Sequence, residues 1–181
     1  MITGTGVMRL RAFMLGAVVL ASSIAPASAA MRISEDRGGQ IGHYLKAYAM
    51  VRSTGERVIV DGNCLSACTL VLGLIPRDRI CATNRARFGF HAAWIPDAEG
   101  RPVTSALGTR ALWDVYPPRV RRWISRHGGL SRHMIYLQGR ALSRIVQSCA
   151  AMERRAYVRS RRRYSHRPVR YVAGNAASDR R

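Results

Sequence analysis

The chain has 181 residues and a formal net charge of +20, with 30 basic against 10 acidic side chains. That length suits one domain with appendages. No zinc-finger or aromatic single-strand motif accompanies the charge, so no nucleic-acid partner is expected.

The first thirty residues are set apart from the fold. Arg9 and Arg11 precede the mostly apolar stretch 12–24, and Ala27–Ser28–Ala29 is a small-residue cleavage signal. Residues 1–29 therefore read as a Sec-type signal peptide, too short for a stable membrane anchor. The expected location is periplasmic or secreted, with no transmembrane span after cleavage. Beyond the signal, residues 31–153 hold 18 basic and 9 acidic residues, whereas 154–181 hold 10 and 1. Residues 153–181 read as a basic disordered tail that could hold the chain weakly to an anionic envelope.

In chain order, 31–34 reads as a short strand and Asp36–Arg37–Gly38–Gly39 as a turn. From Gln40 to Thr54 the apolar residues Ile41, Tyr44, Leu45, Tyr48 and Val51 fall at helical spacing, which predicts an amphipathic helix. Residues 57–60 are a strand, 61–65 a tight turn, and 66–75 a buried helix. Short strands follow at 79–82 and 88–92, the second ending at His91–Ala92. Residues 96–102 form a polar loop. Helix resumes from 104 to 127 with a break at Pro117–Pro118, and stops at Gly128–Gly129. Further helical pieces are predicted at 130–138 and 141–146. The alternation of strand and helix indicates an α/β unit with parallel strands. Arg119, Arg121, Arg122 and Arg126 read as a solvated helix face, with an anionic-substrate site as the lesser reading. Trp94, Trp113 and Trp123 read as core or cleft wall.

Three features fall at strand ends: Gly38–Gly39, Ser66 and His91. In an open parallel sheet such ends line the ligand crevice. Ser66 can cap a helix or fill space, or it can serve as a nucleophile with His91 as its base. The N–H groups of Gly39 and Ala67 would then hold the oxyanion. The four cysteines, Cys64, Cys68, Cys81 and Cys149, suit two disulfides in an oxidising compartment better than a zinc site. No cofactor and no metal is expected.

Gly38–Gly39–Gln40–Ile41, Gly62–Asn63–Cys64–Leu65–Ser66–Ala67 and Phe90–His91 resemble the three active-site segments of the Clp protease proteolytic subunit. The stretches around Asp61–Gly62–Asn63–Cys64, Ser66–Ala67–Cys68–Thr69 and Phe90–His91–Ala92–Ala93 also resemble small exported bacterial proteins of the Clp/crotonase fold. The resemblance implies a small parallel-sheet domain of ββα type over residues 31–152, with C-terminal helices. It also implies Ser66 as nucleophile, His91 as base and a peptide or acyl substrate. The family orients its histidine with an aspartate that would fall near residues 138–140, yet no acidic residue lies between Asp114 and Glu153. Asp97, Glu99 and Asp114 are the candidates for that third place; otherwise the site is a dyad or inactive. Arg37 stands where the family usually has proline, and the strands that precede the glycine turn in Clp subunits are mostly missing. No lysine follows Ser66 to make a Ser–Lys dyad. The expected disulfides are Cys68–Cys81 and Cys64–Cys149. The resulting expectation is an exported serine hydrolase or peptidase, or alternatively an inactive binding protein of the same fold.

Overall fold

The computed structural model describes residues 29–165. The signal-peptide reading, except its last residue, and the end of the basic tail lie outside the described residues. Strand β1 (Ala30–Asp36) leads through the glycine turn into helix α1 (Ile41–Thr54). Strand β2 (Arg57–Leu65) then passes directly into a 3-10 turn, Ser66–Leu70, and the short helix α2 (Val71–Leu74). Next come β3 (Ile80–Ala82), β4 (Arg87–Phe90) and an antiparallel hairpin of β5 (Trp94–Pro96) and β6 (Pro102–Thr104). Helices α3 (Ala106–Val115) and α4 (Pro118–Arg126) precede β7 (Ile135–Gln138), α5 (Gly139–Ser143) and α6 (Cys149–Ser165).

The result is a mixed α/β unit around a mostly parallel sheet of order β1-β2-β4-β7, with β3 also against β2. Within this sheet only β7 runs antiparallel, along β4. β2 is the hub, because its length serves two partners on one side. Val58–Val60 pair with Ile80–Ala82, and Asn63–Leu65 pair with Arg87–Gly89. Between these sets the chain forks at Asp61–Gly62. Gly62 is required there: a Cβ on it would lie 1.8 Å from the Ser34 carbonyl oxygen of β1, where the β1–β2 register shifts.

Asp61 ties the fork together. Its carboxylate, almost fully buried, accepts from the Arg85 guanidinium, the Thr83 hydroxyl and Arg32 of β1. Thr83 and Arg85 belong to the link between β3 and β4, so one side chain holds both strands to β2. Hydrogen bonding from Arg85, then Thr83 and Arg32, holds the Asp61 carboxyl well below the usual carboxylate range. A carboxyl depressed on folding contributes stability that is complete above its unfolded value, about 3.9, and is lost as pH falls towards the folded value. Thermal melts should therefore show stability declining below about pH 4. Asp61→Asn should lower the melting temperature at pH 7 and flatten that acid limb. An unchanged acid limb in Asp61→Asn would remove the network from the account.

The core forms where β-branched and aromatic residues alternate into it. Val58, Val60, Phe88, Phe90 and Leu137 from the sheet meet Leu70, Val71, Leu112, Val120 and Ile124 from the helical side, all fully buried. Each such side chain contributes roughly 1.5–3 kcal/mol relative to exposure. α1 lays Tyr48 into this core, with Ile41, Tyr44, Leu45 and Val51 packed at its edge, as its spacing predicts. Among the described residues no helix is long and apolar enough to cross a membrane.

Four expectations are corrected. Residues 61–65 are strand rather than turn, because their backbone pairs with β1 and β4. The segment 135–138, expected as helix, is strand β7, since its register against β4 buries Leu137 beside Phe88. The polar loop 96–102 is the tip of a hairpin. Residues 153–165, expected as disordered, continue helix α6; alanine, methionine, glutamate and arginine favour helix even without burial.

The disulfides are also corrected. Cys64 pairs with Cys68, and Cys81 with Cys149, at Cα separations of 5.3 and 4.9 Å. Cys68 sits in the turn that β2 enters, close beside Cys64. Cys149 is carried to β3 by the segment before α6, where the Ala82 N–H donates to the Gln147 carbonyl at 3.0 Å. All four cysteines are thus oxidised, which leaves none of them as a thiolate ligand, and two disulfides fit an oxidising compartment.

Candidate active site

Ser66 occupies the bend itself. Its φ is +54°, and it is the one non-glycine residue with positive φ among those described. Left-handed backbone costs a side-chain-bearing residue about 1–2 kcal/mol, so the serine is held there by its surroundings. The Cys64–Cys68 bond spans it, and its carbonyl accepts from the Thr69 hydroxyl at 2.6 Å. Thr69 is held in turn by the Tyr116 phenol at 2.6 Å, at the end of α3. Burial pushes the Tyr116 phenol up to about 12. The single Thr69 hydroxyl hydrogen is donated to the Ser66 carbonyl, so the protonated Tyr116 phenol donates to the Thr69 oxygen.

The Ser66 hydroxyl makes no hydrogen bond within the described residues, and the residue is half-buried. The capping reading of this serine thus has no bond behind it: Leu65 is the N-cap of the 3-10 turn, without a side-chain cap. The Ala67 N–H lies in the first turn, where a helix leaves its donors without internal acceptors.

The glycine turn arrives over the same spot. Gly38 has φ +82°, and a Cβ built on it would stand 2.6 Å from both the Leu65 carbonyl oxygen and the Ser66 Cβ, and 3.0 Å from the Ala67 nitrogen. The turn is fixed from below by Asp36, whose Oδ1 accepts from the Gly38 N–H at 2.8 Å and from the Tyr44 phenol at 2.6 Å. Burial and the Asp36 carboxylate push the Tyr44 phenol up, so it remains a donor. Gly39, the expected oxyanion donor, is exposed beside this contact, and its N–H makes no hydrogen bond in the described residues. Gly38→Ala combines left-handed strain with overpacking against backbone, and should cost about 2–4 kcal/mol in urea denaturation. A loss below about 1 kcal/mol would mean that the turn does not press on Ser66 in solution.

His91 follows β4 directly, at the same end of the sheet as Ser66. β2 and β4 are paired through Leu65 and Gly89, one and two residues before them. The two segments therefore leave the sheet side by side. The His91 Nδ1 lies 2.7 Å from the Ala92 carbonyl. A carbonyl only accepts, so Nδ1 is the donor, and in the neutral ring Nε2 is the acceptor. No hydrogen bond joins His91 to Ser66.

The three candidate acids are engaged elsewhere. Asp97 accepts from the Arg101 backbone and guanidinium in the β5–β6 hairpin, and Glu99 accepts from Arg101 as well. Asp114 pairs with Arg110 along α3. None of them bonds His91, whose Nδ1 is held by backbone instead. Of the residues the sequence reading passed over, Asp36 had a local signal, since aspartate two residues before a glycine commonly bonds its own turn. The Thr69–Tyr116 brace had none, because its members are 47 residues apart. Comparison of the sequence with protein-family models and with curated proteins yields no match.

Proposed function

We propose that the chain is an exported serine hydrolase of Clp/crotonase type, acting on an acyl or peptide substrate. The observation that carries this reading is the left-handed Ser66, half-buried at a strand-to-helix bend with an unbonded hydroxyl. Residues kept in sparsely populated backbone regions concentrate at functional sites. Ser66 Oγ attacks the substrate carbonyl. Nε2 of His91 takes the hydroxyl proton and returns it to the leaving group. The N–H groups of Ala67 and Gly39 receive the oxyanion, a contribution of about 3–4 kcal/mol per donor in related chemistry.

The backbone carbonyl at Nδ1 sets the correct tautomer but brings no negative charge to the imidazolium. The expected enzyme is therefore slower than a carboxylate triad. The test is labelling by a fluorophosphonate probe, which requires the activated hydroxyl and no knowledge of substrate. Labelling should disappear in Ser66→Ala and fall strongly in His91→Ala. An unlabelled wild-type protein, active-site disulfide intact, would count against the proposal.

The alternative, an inactive binding protein of the same fold, draws on the lack of a Ser66–His91 hydrogen bond and of a carboxylate on His91. The hairpin that starts three residues after His91 exposes Trp94, Ile95 and Val103, apolar surface that either function could use. On this alternative Ser66→Ala leaves labelling absent in both forms and partner binding intact.

A further inference from the structure

A cleft of about 730 Å³ opens away from these segments, between the first turn of α4, the α5–α6 link and α6. Its lining includes Arg77, Arg119, Arg122, Arg144 and Arg155, and one acid, Asp78. The solvated-face expectation for α4 thus divides: Arg119 and Arg122 belong to this cleft, while Arg121 and Arg126 do not line it. None of the five arginines has an ion-pair partner among the described residues; the ion pairs there, at Glu35, Asp61, Asp97, Glu99 and Asp114, all involve arginines outside the cleft.

Two of them are positioned. Arg77 donates to the Ile145 carbonyl and Arg119 to the Arg144 carbonyl, each at 3.4 Å. One N–H of each is used in this bracing, and the remaining guanidinium donors are left for a ligand. Pro117 and Pro118 at the start of α4 also line the cleft, so the positive end of that helix adds to the same potential. Ile145 and Val146 supply an apolar wall. The volume lies within the small-molecule range of about 300–1,000 Å³.

We propose that this cleft binds a small ligand carrying phosphate. Five guanidinium groups against one carboxylate leave a surplus that a single carboxylate ligand would hardly neutralise. A phosphoryl group brings more charge and accepts from arginine in bidentate fashion. The site shares no residue with the Ser66 and His91 segments and does not depend on their chemistry.

Calorimetric titration of the purified chain with pyrophosphate tests it. Saturable one-site binding is expected. Arg122→Gln and, separately, Arg144→Gln should weaken it about tenfold or more, as loss of a charge-assisted hydrogen bond implies. Neither side chain makes a hydrogen bond among the described residues, so melting temperatures should match the parent. Arg132→Gln removes the same charge from an exposed site outside the cleft and should leave affinity within about twofold. Flotation with phosphatidylglycerol in phosphatidylcholine vesicles separates the two sources of phosphate. Vesicle association lost in Arg122→Gln identifies a lipid headgroup; pyrophosphate binding without association identifies a free ligand. Equal weakening by Arg132→Gln, citrate binding as tight as pyrophosphate, or no saturable binding to either probe overturns the proposal.

Discussion

Replacing Ser66 by glycine is expected to make the protein more stable and to abolish its reaction with a fluorophosphonate. The two effects come from different atoms. Relief of the φ +54° backbone returns about 1–2 kcal/mol. The extra freedom of glycine in the unfolded chain takes back roughly 0.4–1 kcal/mol. The net gain is about 1 kcal/mol, or a melting temperature higher by about 3–6 °C for a domain of this size. Loss of the hydroxyl removes the nucleophile, a change that costs about six orders of magnitude in turnover in a serine protease. Ser66→Ala separates the terms: it keeps the Cβ and its strain, so stability stays near the parent while labelling is lost. If glycine gives no gain in the melt, the left-handed serine is not strained in solution. If either variant still reacts at the parental rate, Ser66 is not the nucleophile.

The legible parts of this fold are those set by neighbours in sequence. The α1 helix was readable because Ile41, Tyr44, Leu45, Tyr48 and Val51 repeat at helical spacing and Gly55 ends the run. The Pro117–Pro118 break and the Gly128–Gly129 stop were readable for the same local reasons. What escaped was decided across the chain. Residues 61–65 carry turn-forming aspartate, glycine and asparagine, and only pairing with β1 and β4 keeps them extended. β7 is too short to show a period, and its partner β4 lies some fifty residues earlier. The candidate site divides in the same way. Gly38, Ser66 and His91 could be chosen because each ends a strand or begins a turn. The Ala92 carbonyl at Nδ1 could not, since a backbone acceptor leaves no mark on residue identity. The acids that the sequence offers, Asp97, Glu99 and Asp114, are all paired with arginine instead.

Removing the two disulfides one at a time should give opposite signatures. The Cys81–Cys149 bond closes a loop of 68 residues, whereas Cys64–Cys68 closes one of 4. By the chain-entropy relation the long loop contributes about 4 kcal/mol and the short one about 2 kcal/mol. The long crosslink also fixes the start of α6 to β3, next to the Ala82–Ser148 bridge. The double substitution Cys81→Ser with Cys149→Ser should therefore lower the urea midpoint most, and release α6 before the sheet. Hydrogen exchange would detect this as early loss of protection in residues 149–165. Cys64→Ser with Cys68→Ser should cost about half as much. Its main effect falls on the bend, because that bond bridges the two sides of Ser66. Labelling should drop sharply while the midpoint falls by only about half as much as in the Cys81/Cys149 pair. Since the Tyr48 phenol donates to the Cys68 carbonyl at 3.0 Å, part of the bend stays tethered without the disulfide. Residual labelling in this variant is thus expected, whereas Ser66→Ala leaves none. Equal destabilisation by the two pairs would show that loop closure is not what the Cys81–Cys149 bond supplies. Unaltered labelling without Cys64–Cys68 would mean that Thr69 and Tyr116 hold the bend by themselves.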